Sequence, residues 1–363
     1  MRILLLSHAS LATGFVVGSH QLARQLSIQG HEVYHVSSPV SLLNLFKSST
    51  GLRKLKVALF QKNVIDSHWL VKDHIPFLPF PLGYSGILDR INAIFIKNYI
   101  KTLAKTAFDL ILVDQPLFHP VLKYFDPCKI IYRPTDIYGE MGGPRFDHAE
   151  AGVFNYTQRV AATNLNVLAP LQHKYSVQDS IVLNNGVDLE FFNHYSQKTN
   201  KRSGVIYVGA IDFRFDLAFV INVANANPDI QFDMFGPVSL VLPAVLPANL
   251  KFKGAVEYLD LPALMQNYCY GLMPFNNHPS NMGRSPMKLW EYHAAGLKII
   301  AKIHDRDMLQ YFTDAIYIDP QATGKSIVID DKPAATSTLA NEYVPSWHNI
   351  AKQLLAFSNK KAD

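Results

Sequence analysis

Short, nearly unbroken apolar runs alternate with amphipathic stretches along this chain. Ile3–Ser7, Phe108–Asp114, Lys129–Arg133 and Ser180–Asn184 read as strands. A strand covered on both faces needs apolar side chains at successive positions rather than alternate ones, and such strands belong to parallel sheets. Ser19–Gly30 has the period of a helix, with Leu22, Leu26 and Ile28 turned inward and Gly30 as its C-terminal cap. His31–Val36 returns as a strand, Ile91–Ala107 reads as a helix, and Leu165–Ala169 as another short strand. The opening is therefore a βαβ unit with a small-residue loop (Ser10, Ala12, Thr13, Gly14, Gly18) between strand and helix. Strands alternating with helices predict an α/β, doubly wound sheet.

The pattern then restarts. Gln197–Gly204 is polar and linker-like. Strands follow at Val205–Val208, Ile230–Phe235, Leu250–Lys253, Leu297–Ala301 and Ile316–Ile318, and helices after Asp216, over Leu261–Asn267 and over Trp347–Phe357. With 363 residues, the chain fits two domains: residues 1–195, residues 204–345, and a last helix in 346–363. Two such units facing one another place the default ligand site in the cleft between them.

Composition narrows the function. The chain is 48% hydrophobic and 17% charged, with a formal net charge of +5. That balance is globular, and it is too mildly basic for nucleic acid in the absence of any arginine-rich block. Cys128 and Cys269 lie in apolar sequence and read as reduced core residues, with no metal-ligand spacing. Met1–Leu6 is too short for a signal-peptide core and no run reaches transmembrane length, so the expectation is cytoplasmic. Between Lys47 and Lys62, the cations Lys47, Arg53, Lys54, Lys56 and Lys62 alternate with apolar residues and no acid. This suits a helix lying on anionic lipid, and equally a solvated helix packing one side on the sheet.

The candidate chemistry gathers at strand ends. Gly283–Gly296 reads as a helix aimed at an anion. Ser285 stands where an N-cap would be, Pro286 at the first helical position, Lys288 in the first turn and Gly296 at the C-terminal end. A lysine beside the positive end of a helix dipole makes sense when a third, negative group is there. Gly209, Gly236 and Gly254 each follow a strand, where backbone N–H groups can approach a diphosphate, and no DxD-like acidic pair calls for a metal. In the first half, Asp114, His119 and Asp136 follow strands, Asp136 just after the strand-breaking Pro134. The glycines do not form GxGxxG, and Ser37-Ser38 stands where a ribose-binding acid would be, so a dinucleotide is disfavoured.

Tyr207–Asp216, Ser285–Gly296, Asn185-Gly186-Val187-Asp188 and the opening glycine loop together resemble the GT-B nucleotide-sugar glycosyltransferases, over nearly the whole chain. Within that fold the chain is most similar to the xanthan-type glucuronosyltransferases and the teichuronic acid glycosyltransferases of bacterial cell-surface polysaccharide assembly. The resemblance implies two Rossmann-like domains facing a cleft, an N-terminal acceptor domain, a C-terminal UDP-sugar domain and a last helix crossing back to the first domain. It implies a lipid-linked saccharide acceptor, no cofactor, and attachment to the inner face of the membrane, with Lys47–Lys62 as the contact. Donor contacts fall on Gly209, Asp212, Arg214, Gly236, Ser285, Pro286, Lys288 and Glu291. Met234, Tyr258 and Met287 are either uracil contacts or core, and Gly14, His20 and His119 fall on the acceptor side. Arg214 and Arg284 are candidates for a uronate carboxylate. Retaining enzymes of this fold carry two glutamates eight positions apart. Glu291 matches the second, but Gly283 stands at the first, so the likeness favours inverting transfer with Asp136 as base. The alternatives are a retaining hexosyltransferase, and a non-catalytic or epimerase-type nucleotide-sugar-binding protein.

Overall fold

The computed structural model describes residues 1–11, 16–41, 55, 58, 71–83, 86–104, 107–193, 202–304, 309, 312, 315–325, 327–330 and 344–360. Gly14 and, apart from Leu55 and Ala58, the Lys47–Lys62 run lie outside them. The chain divides into two compact units. The first comprises Met1–Asn185, Gly283–Ser285 and Trp347–Asp363, and the second Gly186–Met282 and Pro286–Ser346.

The first unit is built on β1 (Arg2–Leu6), β2 (Glu32–Val36), β4 (Lys72–His74), β6 (Leu110–Val113), β7 (Ile130–Tyr132), β8 (Arg159–Ala162) and β9 (Asp179–Val182). They form one parallel sheet in the order β4-β2-β1-β6-β7-β8-β9. A minor ladder pairs β3 (Val40–Ser41) with β5 (Phe77–Leu78). The helices are α1 (Gly18–Ile28), α2 (Gly86–Leu103), α3 (His119–Leu122), α4 (Tyr138–Gly142), α5 (Pro144–Phe154) and α6 (Leu165–Lys174). The apolar runs of β1, β6 and β7 are buried at almost every position, as a sheet covered on both faces requires. After β4 the chain returns to the other side of β1, so the order reverses between β1 and β6. In such sheets, ligands collect outside the strands' carboxyl ends at the reversal.

The second unit holds α7 (Leu189–Asn193), β10 (Val205–Val208), α8 (Leu217–Ala226), β11 (Phe232–Phe235), β12 (Leu250–Gly254), α9 (Leu261–Met265), β13 (Tyr270–Pro274), α10 (Met287–Ala294), β14 (Lys298–Lys302) and β15 (Ile316–Ile318). Its sheet is parallel in the order β12-β11-β10-β13-β14-β15, with the reversal between β10 and β13. Asp216 caps α8 by accepting the Phe219 N–H at 2.9 Å, and its other oxygen takes the buried Lys302 ammonium at 2.5 Å. α10 ends in a Schellman arrangement: Gly296 has φ +74°, its N–H reaches the His293 carbonyl, and the Leu297 N–H reaches that of Tyr292.

The last helix, α11 (Trp347–Asn359), belongs to the first unit and packs on α1. Trp347, Ile350, Leu354 and Phe357 form its buried stripe. Arg159 holds its C-terminal end, donating to the carbonyls of Phe357 at 2.5 Å and Lys360 at 3.2 Å. A cation among the last carbonyls of a helix satisfies groups that have no partner within the helix.

Three local expectations are corrected. Leu165–Ala169 is not a strand but the start of α6. Asn164 caps that helix by accepting the Asn166 N–H at 2.6 Å, and Val167, Leu168 and Leu171 face inward. A five-residue apolar run carries no period of its own, so the cap decides. Ile28 is 48% exposed, because α1 ends there and turns its last residue outward. Cys128 is exposed in a turn, while Cys269 is buried as expected; both are free thiols.

Candidate active site

In the second unit, two glycine turns meet at the carboxyl end of the sheet. Gly209 directly follows β10 and donates its N–H to the Phe235 carbonyl. Gly236 directly follows β11 at φ +140°, and the Gly209 carbonyl occupies the place where a Cβ at Gly236 would stand. No other residue fits there. Gly254 closes the row by accepting the Gly236 N–H at 2.7 Å.

α10 begins beside this edge. Its N-cap position is Pro286, with extended backbone and no side-chain cap, so the helix starts one residue later than the sequence suggests. Ser285 does not cap it. Its hydroxyl accepts the Asn185 N–H at 2.8 Å, and its carbonyl accepts the Asn185 side chain at 2.8 Å. A proline cannot extend the helix backward through its own nitrogen, which leaves the serine to the loop of the first unit.

Glu291 lies one turn on from Lys288 along α10 and is fully buried. Tyr258 donates to its Oε1 at 3.1 Å, while Oε2 has no hydrogen-bond partner among the described residues. Burial pushes the Glu291 carboxyl up, and the Lys288 charge and the tyrosine oppose this. Tyr258 is itself fixed by parallel stacking on Phe191 at 5.6 Å between centroids and by the edge of Phe192. Met287, at the start of the helix, is buried.

Asp212 and Arg214 form a tight pair of their own, with guanidinium nitrogen to carboxylate oxygen at 2.6 Å. The loop they stand on is tied to the segment after β13, since the Arg214 carbonyl accepts from Asn276 and Asn281. The Arg214 fork, expected for a uronate carboxylate, therefore already holds an acid. Met234 is a correction. It is fully buried in the core of the second unit, packed with Tyr207, Phe232 and Leu272, and has no face left for uracil. Its strand is covered on both sides, so an inward residue in its middle has nowhere else to point.

In the first unit, Asp136 sits in the loop after β7, half-buried, and accepts from the Thr135 hydroxyl at 3.2 Å. Just before it, Arg133 and Asp114 form an ion pair at 2.5 Å with both side chains buried. The Tyr138 hydroxyl joins the Asp114 carbonyl to Thr135. Burial pushes the Asp114 carboxyl up against the pull of Arg133. Desolvation pushes the imidazole of His8, two residues after β1, below its ordinary value, with the charges of Asp136 and Asp114 acting the other way. Nothing in local periodicity singles out His8; only its place at a strand's carboxyl end does. The loop of Asp136 is fixed from behind, because Ile137 and Val167 pack on Gly283. A Cβ at Gly283 would lie 2.6 Å from Ile137 Cγ1 and 2.9 Å from Val167 Cγ2. A side chain at the position that carries a glutamate in the retaining pattern would thus need Ile137 and Val167 to move aside.

The acceptor-side histidines fall in two separate settings. His119 opens α3, packs on Gly152 and meets the His148 ring edge-on at 5.9 Å. Desolvation, with His148, lowers it to about 4. His20 lies near the start of α1 against His35, with ring centroids 4.6 Å apart. His35 Nδ1 meets Asp73 at 2.9 Å and its Nε2 meets Ser19 at 3.1 Å. Burial acts to raise the Asp73 carboxyl, but the His35 hydrogen bond and charge, His20 and the Ser10 hydroxyl outweigh it and hold it at about 2. Among the described residues, His20, His35 and Asp73 are the group whose ligand atoms lie close enough for a metal ion. Backbone groups also feed the network: the Val17 N–H donates to His20 Nδ1 at 3.1 Å and the Leu11 N–H to Asp73 Oδ2 at 2.8 Å.

Comparison with known proteins fits this architecture. The chain superposes over 98% of its length on 98% of the sucrose-phosphate synthase of Thermosynechococcus elongatus, with TM-score 0.67 and 13% identity. It covers 96% of a trehalose-6-phosphate protein from E. coli bound with UDP-2-fluoro glucose, over 99% of its own length, with TM-score 0.55 and 13% identity. The chain has the GT-B fold of glycosyltransferases. In sequence, 129 residues are 29% identical to the putative teichuronic acid biosynthesis glycosyltransferase TuaH of Bacillus subtilis (strain 168), covering 32% of this chain and 32% of that protein. The match thus spans about a third of its curated relative. No protein-family model matches the chain.

Proposed function

We propose that this protein is a glycosyltransferase that moves a sugar from a UDP-sugar to a lipid-linked or polysaccharide acceptor, with inversion at the anomeric carbon and without a metal. The observation that carries the donor assignment is Glu291. A fully buried carboxylate oxygen without a hydrogen-bond donor costs about 1–3 kcal/mol, and a ribose hydroxyl offsets that cost when the side chains covering Glu291 part to admit the donor. The Gly209 and Gly236 turns, the first turn of α10 and Lys288 supply N–H groups and a charge for the diphosphate. The E. coli neighbour bound with UDP-2-fluoro glucose and the name of TuaH support the donor and acceptor classes.

In the reaction, Asp136 takes the proton of an acceptor hydroxyl while that oxygen bonds to the anomeric carbon. The bond from that carbon to the UDP β-phosphate oxygen breaks, and UDP leaves with the electron pair. Lys288 and the helix start stabilise the growing phosphate charge. The closed-off Gly283 supports inversion over retention. The test is UDP release from UDP-glucuronate, UDP-glucose and UDP-galactose, with and without acceptor. Asp136→Asn lowers turnover by about 10²–10⁴-fold with UDP affinity unchanged. Near-normal turnover in that variant removes Asp136 as base, and absence of UDP binding by the wild type removes the donor site altogether.

A further inference from the structure

Behind Asp136, the loop after β7 carries a chain of hydroxyl groups. Its backbone is held at both ends. The Pro134 carbonyl accepts the Thr163 N–H at 3.2 Å and the Thr163 hydroxyl at 3.3 Å. Tyr138 is buried and stacks on the Phe146 ring, with centroids 5.5 Å apart and planes 8° from parallel. Thr135 lies between these two anchors, half-buried. Its Oγ1 is 3.2 Å from Asp136 Oδ2 and 3.1 Å from the Tyr138 hydroxyl.

The hydrogens along this chain run one way. A hydroxyl carries one hydrogen and two lone pairs, and a backbone carbonyl only accepts. The Tyr138 hydrogen therefore goes to the Asp114 carbonyl. Burial, with the Asp136 charge beside it, pushes the Tyr138 phenol well up, so it keeps that hydrogen. Its oxygen then faces Thr135 as an acceptor. Thr135 has two acceptors, Asp136 Oδ2 and Tyr138 Oη, and one hydrogen to give. A carboxylate is the stronger acceptor. With Asp136 ionised, the hydrogen goes to it, and the contact between Thr135 and Tyr138 lacks one. With Asp136 protonated, the missing hydrogen is present. Its Oδ2–H donates to Thr135 Oγ1, and the Thr135 hydrogen turns to Tyr138.

We propose that Thr135 is a positioning residue for the base, donating to the Asp136 carboxylate before transfer and accepting from the Asp136 carboxylic acid after it. The proton that completes the chain is the one taken from the acceptor hydroxyl, as the acceptor oxygen bonds to the anomeric carbon and UDP leaves with the electron pair. Water around an open carboxylate has to reorganise when the charge disappears. A hydroxyl anchored between Pro134 and Tyr138 needs only a bond rotation, so its support is in place at the moment of transfer. The inference deepens the proposed function and rests on its reading of Asp136 as the base.

The test is UDP release by the full chain from UDP-glucose, UDP-galactose and UDP-glucuronate, with water and with octyl β-glucoside as acceptor. Thr135→Val keeps the shape and removes the hydroxyl. It lowers kcat by about tenfold to a hundredfold, the worth of a hydrogen bond to a charged group, with donor KM unchanged. Thr135→Ser keeps the hydroxyl and stays within about threefold of the wild type. Tyr138→Phe removes the second link and lowers kcat by about threefold to tenfold. On an Asp136→Asn background, Thr135→Val costs less than about threefold more, because the two side chains act as a unit. Thr135→Ala makes the same comparisons should Thr135→Val not fold. Unchanged kcat in the variant without the hydroxyl overturns the proposal. Equal slowing by Thr135→Ser also overturns it and leaves only packing at this position. A full multiplicative loss on the Asp136→Asn background overturns it as well, since Thr135 then acts apart from the base. Near-normal turnover in Asp136→Asn removes the base reading and this inference with it, as does absence of UDP release by the wild type. Slow turnover in Asp136→Asn with normal turnover in Thr135→Val removes the inference alone.

Discussion

Gly283→Ala isolates the link between the packing of the first unit and the chemistry assigned to Asp136. The added methyl would lie 2.6 Å from Ile137 Cγ1 and 2.9 Å from Val167 Cγ2, both well inside van der Waals contact. Gly283 has no positive φ, so the cost is steric and not conformational. Ordinary contact begins at 3.4 Å, so both side chains must move aside, Ile137 the further of the two, which places the change among overpacking substitutions at about 1–3 kcal/mol. For a unit of this size, about 2 kcal/mol lowers the melting temperature by roughly 4–8 °C. Because Ile137 is the next residue after Asp136, its displacement moves the carboxylate. Turnover therefore falls while the donor KM stays constant, the mark of a contact made only in the transition state. Ile137→Ala opens the space the methyl needs. In a double-mutant cycle by denaturant unfolding, the pair is more stable than the sum of the single changes by about 1 kcal/mol or more. Additivity within about 0.5 kcal/mol refutes the steric argument, and a normal turnover number in Gly283→Ala refutes the link to Asp136.

Other consequences follow from buried charges. Glu291→Gln weakens UDP binding by roughly tenfold to a hundredfold, the worth of a hydrogen bond to a charged group; calorimetry reads it. Burial raises the Glu291 carboxyl, so the folded state disfavours its ionised form, and the free Gln variant is at least as stable as the wild type at neutral pH; a large drop in melting temperature contradicts this. Asp73 is held at about 2, below the usual carboxylate range. Its contribution of about 2 kcal/mol is present above pH 4 and is lost as pH falls from about 4 to about 2. Asp73→Asn removes the steepest part of acid unfolding in that window, and an unaltered acid transition counts against the His35–Asp73 pair. Arg159→Met frees the carbonyls of the last turn of α11, and hydrogen exchange of residues 354–359 then rises by about tenfold or more; unchanged protection shows that the helix end does not need the guanidinium.

Much of the architecture was legible because a doubly covered sheet writes itself as solid apolar runs. β1, β6, β7 and β10 stand where Ile3–Ser7, Phe108–Asp114, Lys129–Arg133 and Val205–Val208 indicated. The ends of α1 and α10 followed from Gly30 and Gly296, since a left-handed residue after a helix is a local property. What failed was decided by partners far along the chain. Ser285 looked like a cap until Asn185, a hundred residues earlier, claimed its hydroxyl. Nearer at hand, the loop after β10 brings Asp212 under the Arg214 fork from only two positions away. Met234 was ambiguous between ligand contact and core because a short strand shows the same residues either way, and only the covering layers settle which side is open. The network of Ser10, His35 and Asp73 joins three elements across 63 positions and has no local signature at all. Gly283, which stands where the retaining pattern has a glutamate, is packed in the structure against Ile137 and Val167.

Direct displacement fixes the stereochemistry of the new glycosidic bond. Its most direct test is the anomeric configuration of the first-formed product, read by proton NMR during turnover of a UDP-α-sugar by the wild type. Direct displacement with Asp136 as base predicts a β-linked product from the outset. An α-linked product would contradict the account and return the site to the retaining class that Glu291 alone suggests.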